Sequence, residues 1–309
     1  RRRHTRYEFV TGVQTCALPI FLLILLLVPA LTSCIRDEIE DCPPLQVNIA
    51  VKDKNYFNVD KVDMEERRSE DLAFREYVPT LFYMLRDAKT GEVMEEHGVF
   101  RVEGEAKTMK VDFCPCLPHG TYVLTVWGGM KDMTSLNEDR TALALHPEHA
   151  EGDDIYLVND TLVYDAYRYD YTVEMERTKG KLIVEAEGLE QGLEHSTMKA
   201  DHIYERVDSG FSYSSDTYAS MQYDWTGQHV LTKTVLAPSL KRNGSTLSLQ
   251  FYDSAQRLNP VLSPKDVRIT MHRNELTVLR YVWNEEKADF VVYMLVNDNW
   301  EMVHGMEIE

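Results

Sequence analysis

The feature that most restricts the possible folds of this chain is a series of short apolar stretches separated by turn signals. This pattern is not compatible with a helical fold. Residues 47–51 and 182–186 alternate apolar and other side chains, which is typical of strands with one buried face. Thr80 to Leu85 is apolar almost throughout and indicates a strand buried on both faces. Turn signals recur about every 8 to 12 residues, as in sandwich proteins. Among them, Asn243-Gly244 predicts a hairpin between two strands, and Asn297-Asp298-Asn299 predicts the turn of the final strand pair. No long amphipathic helix is visible, so the predicted fold class is all-β.

About 14 candidate strands are too many for one sandwich and suit two sandwiches of about seven strands each. The strand pattern breaks at Thr178-Lys179-Gly180. We therefore predict an N-terminal β-sandwich over residues 45–177 and a C-terminal one over residues 178–309. Residues 34–44, which are acidic and then proline-rich, are predicted to be a tether. No internal sequence repeat is visible.

An apolar run, Phe21 to Cys34, precedes this tether. It is shorter than the roughly 20 apolar residues that span a bilayer, and it has the length of a secretory signal core. Ser33 lies directly before the cysteine and Leu31 three positions before it, which is the pattern of a bacterial lipobox. We therefore predict that residues 1–33 are a signal peptide and that Cys34 becomes the lipidated first residue of the mature protein.

The residues before the apolar run do not look like a signal-peptide start. The chain begins Arg-Arg-Arg-His, without methionine, and residues 10–20 resemble a translated sequencing-library adapter. Residues 1–20 are therefore predicted to be foreign to the protein. If they are instead a native basic segment, Cys16 is still removed with the signal peptide.

Charge excludes several classes of partner. The chain carries a formal net charge of −18, and removing residues 1–33 takes away four arginines and one glutamate, which makes it more acidic. Nucleic acid binding needs clustered Lys and Arg, so nucleic acid is not an expected partner. Electrostatic docking to anionic lipid is disfavoured for the same reason, which leaves acyl chains as the membrane attachment.

Three cysteines follow Cys34, and an exported protein permits a disulfide between two of them. We predict a bond from Cys42 to either Cys114 or Cys116, which would tie the tether to the core. The spacing of Cys114-Pro115-Cys116 also suggests zinc, but no second pair follows it, and structural zinc sites use four ligands. No metal site is therefore predicted there.

Four features together resemble the FimB-like fimbrillin-associated anchor lipoproteins of Bacteroidales. They are the lipobox at Cys34 with its acidic tail, the step Asp41-Cys42-Pro43 into a strand, the stretch from Leu117-Pro118-His119-Gly120-Thr121-Tyr122 to Trp127-Gly128-Gly129, and Val173-Glu174-Met175-Glu176-Arg177 at the mid-chain junction. The resemblance spans most of the mature chain.

This resemblance implies transthyretin-like sandwiches and a surface-exposed protein of the outer membrane, lipid-anchored through more than one acyl chain on Cys34. It implies a role at the base of a fimbria, where the protein anchors the shaft and assists its assembly or limits its length. It also implies the absence of catalysis and of a cofactor. The expected partner is a fimbrial shaft subunit, bound by addition of a strand to a free sheet edge.

Other motifs suggest chemistry without the spacing that chemistry needs. His146-Pro147-Glu148-His149 lacks the H-E-x-x-H pattern, and its proline disfavours the helix that would align both histidines. Glu148, Glu151, Asp153 and Asp154 offer oxygens to calcium, but not at EF-hand spacing. Both stretches are interpreted as solvated loops, and no catalytic motif is present.

Clustered aromatic residues support the rival hypothesis, a surface glycan-binding lipoprotein of a polysaccharide-uptake system. Exposed rings can stack on sugars, whereas tyrosine is also a common strand residue with a polar tip. The residues concerned are Tyr164, Tyr167, Tyr169, Tyr171, Tyr213, Tyr218, Tyr223 and Trp225.

Overall fold

A computed structural model describes residues 43–242, 244–286 and 288–304. Almost all regular structure in these ranges is β, so the predicted fold class is confirmed. The helical parts are a single turn, α1 (Phe74–Tyr77), and two 3-10 turns, Val59–Lys61 and Pro147–His149. Within the described ranges, no helix combines the length and the apolar character that crossing a bilayer requires. The predicted signal peptide and the predicted lipidation site, Cys34, lie outside these ranges.

The first half of the chain folds into one sheet that doubles back on itself. Its strand order is β3-β2-β5-β7-β8-β1-β4. Strands β7 and β8 pair only at Tyr156–Arg177 and Leu157–Glu176, so the two parts of the sheet diverge and face each other. The strands are β1 (Gln46–Val51), β2 (Thr80–Asp87), β3 (Val93–Arg101), β4 (Met109–Asp112), β5 (Gly120–Gly128), β7 (Tyr156–Tyr164) and β8 (Asp170–Arg177).

Side-chain alternation explains this sandwich. In β1, Val47, Ile49 and Val51 point inward and meet the inner faces of β2, β5 and β7 in one hydrophobic cluster. Strand β2 is buried on both faces, as its composition predicted. Its residue Leu81 belongs to this cluster, whereas Phe82 belongs to a second cluster shared with the other half of the chain.

The second half of the chain, together with β6 from the first half, forms two five-stranded sheets that enclose the second cluster. One sheet has the order β11-β10-β13-β14, with β6 also paired to β10, and the other has the order β12-β9-β15-β16-β17. The strands are β6 (Ala142–Ala144), β9 (Gly180–Glu187), β10 (His195–Asp208), β11 (Tyr213–Asp224), β12 (His229–Leu236), β13 (Ser245–Tyr252), β14 (Val267–Ile269), β15 (Leu276–Asn284), β16 (Asp289–Val296) and β17 (Asn299–His304).

The two halves repeat one topology that the sequence does not reveal. Strands β1 and β9 each lie between a parallel partner, β8 or β15, and an antiparallel partner, β4 or β12. The order β3-β2-β5-β7 in the first half corresponds to β11-β10-β13-β14 in the second. The second half then adds the hairpin β16–β17 beyond β15. The turn predicted at Asn297-Asp298-Asn299 is confirmed: it joins β16 to β17, and Asn297 and Asp298 have positive φ values of 47° and 67°.

The halves are joined by more than a linker. The chain leaves the first sheet at Arg177 and enters β9 at Gly180, which is where the sequence predicted a boundary. However, β6 pairs with β10 of the second half. Val59 and Val62, from the long loop after β1, also cover the outer face of the sheet that contains β9 and β15. The division into domains at residues 177 and 178 stays a prediction.

One predicted hairpin is wrong. Asn243-Gly244 was expected to connect a strand pair, but β12 pairs with β9 and β13 pairs with β10, in opposite sheets. The connection therefore crosses the sandwich instead of turning within one sheet. Three strands, β3, β6 and β11, were not predicted. Strands β3 and β11 lie at sheet edges and carry many polar residues, and β6 has only three residues.

Candidate functional site

The described chain begins at one end of the first sandwich, directly after most of the predicted tether. We call this end the tether pole and define it as residues 43–46, 113–119 and 165–169. The Tyr164 hydroxyl donates to the Pro43 carbonyl at 2.9 Å, and the Gln46 N–H donates to the Tyr169 carbonyl at 2.6 Å. The Phe113 N–H donates to the Leu45 carbonyl at 2.9 Å. The first described residues are therefore fixed between the loop after β4 and the β7–β8 turn.

The disulfide at this pole differs from the predicted one. Cys114 pairs with Cys116, with their Cα atoms 5.2 Å apart, and neither pairs with Cys42, which lies outside the described residues. The reason is local: a tight turn, in which the Leu117 N–H donates to the Cys114 carbonyl at 3.0 Å, brings the two cysteines together. Because both thiols are consumed in this bond, neither remains as a zinc ligand.

Arg177 is the centre of the joint between the halves. Its side chain is almost fully buried, and its Nε donates to the carboxylate of Asp154 at 3.1 Å. Its other nitrogens donate to the Tyr156 hydroxyl and, at 2.9 Å, to the side-chain oxygen of Asn274 in the second half. Its backbone N–H donates to the Asp53 carboxylate at 2.8 Å. A buried cation satisfied on all sides in this way fixes the position of the segments it contacts.

Two further buried bases lie near this joint. The ammonium of Lys179 donates to the Glu151 carbonyl at 2.8 Å, and burial lowers the pKa of Lys179 to about 8. His146 is only 4% exposed, and burial, together with the charge of Lys179, lowers its pKa to about 3. The loop predicted at residues 146–149 is thus solvated at Pro147 to His149 but buried at His146.

The four carboxylates that were weighed as calcium ligands, and interpreted as parts of a solvated loop, have different partners. Glu148 lies on an exposed turn, and the carboxylate of Glu151 accepts the Val235 N–H at 2.6 Å. Asp153 lies 3.5 Å from the Lys131 ammonium, while Asp154 is bound to the joint arginine. These carboxylates therefore form no shared cation site in the described part of the chain.

A different triad, Glu185, Glu187 and His229, brings its ligand-type atoms within 4.8 Å of one another. The guanidinium of Arg280 already occupies this group, with its Nε 2.6 Å from a Glu185 oxygen and 3.7 Å from a Glu187 oxygen. His229 also contacts Glu185, at 2.9 Å. The triad is therefore an ion-pair network on the outer face of the sheet. Sequence reasoning missed this network because the triad comes from β9 and β12, and its arginine comes from β15.

The clustered aromatic residues do not assemble into one exposed platform. Tyr164 is buried, and the Tyr213 hydroxyl donates to the Thr178 carbonyl at 2.6 Å. Tyr218 is stacked on the His149 ring, with centroids 4.0 Å apart. Tyr167 is the most exposed of the group, at 92%, and it lies with the less exposed Tyr169 on the β7–β8 turn at the tether pole.

The best candidate for a protein-accepting edge is β17, the last strand of its sheet. Its outward side carries no pairing strand in the described ranges, and Trp300, Met302 and Val303 are exposed along it. A groove of about 390 Å³ runs beside it, between the long loop after β1 and the ring of Trp300. An exposed apolar edge strand offers both unpaired main-chain groups and hydrophobic surface to an added strand.

Comparison with known proteins identifies the fold. No protein-family profile matches the chain. No curated protein sequence matches it significantly. A proposed adhesin of Bacteroides thetaiotaomicron superposes with a TM-score of 0.58 at 12% identity, covering 85% of this chain and 99% of that one. A proposed polysaccharide-binding protein of the same species gives 0.55 at 13% identity, covering 85% and 98%.

The fimbrial anchor protein Mfa2 of Porphyromonas gingivalis is also similar in outline, with 13% identity over 85% of this chain and 100% of that one. Its TM-score of 0.48 is too low to carry an argument. At identities of 12% and 13%, the two better superpositions establish a shared fold and leave activity open. The chain therefore shares its fold with these two proteins of Bacteroides thetaiotaomicron.

Proposed function

We propose that this chain is a non-catalytic lipoprotein that anchors the base of a fimbria to the outer membrane. In this proposal, acyl chains on Cys34 hold the protein to the membrane, and a fimbrial shaft subunit adds a strand to β17. The anchor also assists assembly or limits shaft length. The observation that carries the proposal is the exposed apolar edge of β17, which lies in the half of the molecule away from the tether pole.

The geometry of β17 indicates which main-chain groups are available. The β16–β17 turn has two residues, and Val296 pairs with Asn299. In such a hairpin, hydrogen-bonded and open pairs alternate, so Trp300 and Met302 direct their main-chain groups outward. Each new main-chain hydrogen bond contributes about 1 kcal/mol net, and burial of the exposed side chains adds to this. A strand of similar length could therefore bind specifically.

The alternative of glycan binding receives no such support from the described residues. The aromatic residues that would stack on sugars in that hypothesis are dispersed over both halves, and most of them make internal contacts. The fimbrial proposal is therefore the one we carry forward.

Replacing Met302 by proline tests the proposal, because proline removes the outward N–H while the open pair with Tyr293 loses no hydrogen bond. We expect Met302→Pro to fold and to stay in the membrane fraction, but to lose co-purification with the shaft subunit. The matched control is Leu231→Pro on the free edge of β12. Its N–H points outward in the same way, since the N–H of Val235, four residues on, reaches outward to Glu151.

Both variants should melt within a few degrees of the parent protein. Loss of the shaft subunit in Met302→Pro alone supports the proposal. Equal recovery of the shaft subunit with Met302→Pro and with the parent protein would show that β17 is not the accepting edge. Fimbriae of unchanged length and attachment after deletion of the gene would refute the anchoring role itself.

A further inference from the structure

We infer that the tether pole rests on the membrane surface, with Tyr167 and the Cys114–Cys116 tip in the lipid headgroup region. This inference rests on the proposed lipidation of Cys34. It goes further because it assigns a second, non-covalent contact with lipid and a fixed orientation of the protein. The lipid chains by themselves would leave the protein free to tilt in any direction.

The first argument is the short reach of the tether. Cys34 lies nine residues before Pro43, and Pro43 is hydrogen-bonded at the tether pole. At about 3.3–3.6 Å per residue, the fully extended segment spans at most about 30 Å. The tether pole is therefore held close to the bilayer.

The second argument is the composition of the exposed surface at this pole. Its exposed side chains are mostly uncharged, namely Cys114, Pro115, Cys116, Pro118, Ala166 and Tyr167. Tyrosine is enriched where proteins meet the membrane–water interface, because its ring is apolar and its hydroxyl is polar. Tyr167 is 92% exposed, so the fold gains little from keeping this ring at the surface.

The charges at this pole are mostly paired. Arg168 Nε lies 2.9 Å from an oxygen of Asp165, which leaves the β7–β8 turn without net charge. Asp112, beside the disulfide loop, lies 3.1 Å from the ammonium of Lys110. Such a surface suits the uncharged or zwitterionic interface of a bilayer and does not depend on a basic patch, which this acidic chain lacks.

The third argument is that both loops are already rigid. The carboxylate of Asp165 accepts the N–H groups of Tyr167 and Arg168, each at 2.9 Å. The disulfide closes the other loop, and the ring of His119 packs edge-on against Tyr164 at 5.3 Å. Preformed loops lose little conformational entropy on contact with lipid. The contact would hold the first sandwich upright and present β17 away from the membrane.

Tryptophan quenching tests this orientation in the full lipidated protein. Tyr167→Trp and the control Leu258→Trp are each reconstituted into phosphatidylcholine vesicles whose acyl chains are brominated near the headgroup. Leu258 is 79% exposed and follows β13, at the end of the second half remote from the joint. The emission of the unmodified protein, with its four native tryptophans, is subtracted from both.

We expect bromine to quench most of the emission added at position 167 and little of that added at position 258. If both added signals stay unquenched while the protein floats with the vesicles, the inference is wrong and the lipid anchor stands. Equal quenching at both positions would mean that the protein lies on its side, which also overturns the inference. If the protein does not float with the vesicles, the proposed lipidation fails, and the inference fails with it.

Discussion

Acid should destabilise this protein through one buried histidine. His146 lies between the two halves: its Nδ1 donates to the Ala150 carbonyl at 2.8 Å, and its Nε2 accepts the N–H of Ala237, after β12, at 3.0 Å. This arrangement requires the neutral ring with its proton on Nδ1. A second proton on Nε2 would break the bond to Ala237 and place a buried positive charge near Lys179.

The size of the effect follows from the pKa of His146. Burial lowers it from 6.5 to about 3 in the folded protein. The unfolded chain therefore binds the proton first as the pH falls, so stability is present above pH 6.5 and is lost progressively between pH 6.5 and pH 3. Within this window, each pH unit of acidification lowers the free energy of unfolding by about 1.4 kcal/mol, so the decrease between pH 7 and pH 5 is about 2 kcal/mol.

Urea unfolding of the non-lipidated protein at pH 7 and pH 5 measures this loss. His146→Gln should lower stability at pH 7 by about 1–3 kcal/mol, because the bonds of the ring are disturbed. Between pH 7 and pH 5, however, the free energy of unfolding of this variant should fall by about 2 kcal/mol less than that of the parent protein. The control His149→Gln, three residues away on the exposed turn, should keep the parent pH dependence. The same pH dependence in all three proteins would refute the reasoning.

Two further predictions concern the joint. Arg177→Met should lower the free energy of unfolding, measured in urea, by about 3–5 kcal/mol, because it leaves the Asp154 carboxylate without its buried partner. Arg177→Lys should restore little of this stability, since one ammonium cannot reach every acceptor that the guanidinium contacts. The pKa of Lys179 is about 8 in the folded protein, against 10.5 for an ordinary lysine such as that of the unfolded chain. Between pH 8 and pH 10.5 the unfolded chain therefore binds more protons than the folded protein. The free energy of unfolding should rise with pH in this range by up to about 1.4 kcal/mol per pH unit. Lys179→Met should remove this rise between pH 8 and pH 9.5, and an unchanged slope would contradict it.

Strands with clear alternation could be predicted from the sequence, because their pattern records which face is buried. Strand β1 is an example: its odd-numbered residues 47, 49 and 51 are buried as expected. Strand β3 escaped prediction because its residues, Val93–Arg101, are mostly exposed and charged. Its main-chain bonds to β2 hold it in place, and these long-range bonds leave no local pattern.

The features that join the halves could not be predicted, because they depend on distant contacts. Val59 lies in a highly charged stretch of the sequence, yet it packs on the outside of the second sandwich. The burial of Arg177 and His146 likewise depends on residues from both halves, such as Asn274 and Ala237. The disulfide prediction failed for the opposite reason: a tight local turn favours Cys114 with Cys116 over any distant cysteine.

The most direct test of the anchoring account is fractionation of cells that produce Cys34→Ala in place of the parent protein. The account predicts that this variant folds, leaves the membrane fraction, and releases fimbriae into the medium. Cys42→Ala, the matched control within the same tether, should stay in the membrane fraction with fimbriae attached. Membrane-bound Cys34→Ala with attached fimbriae would contradict the account.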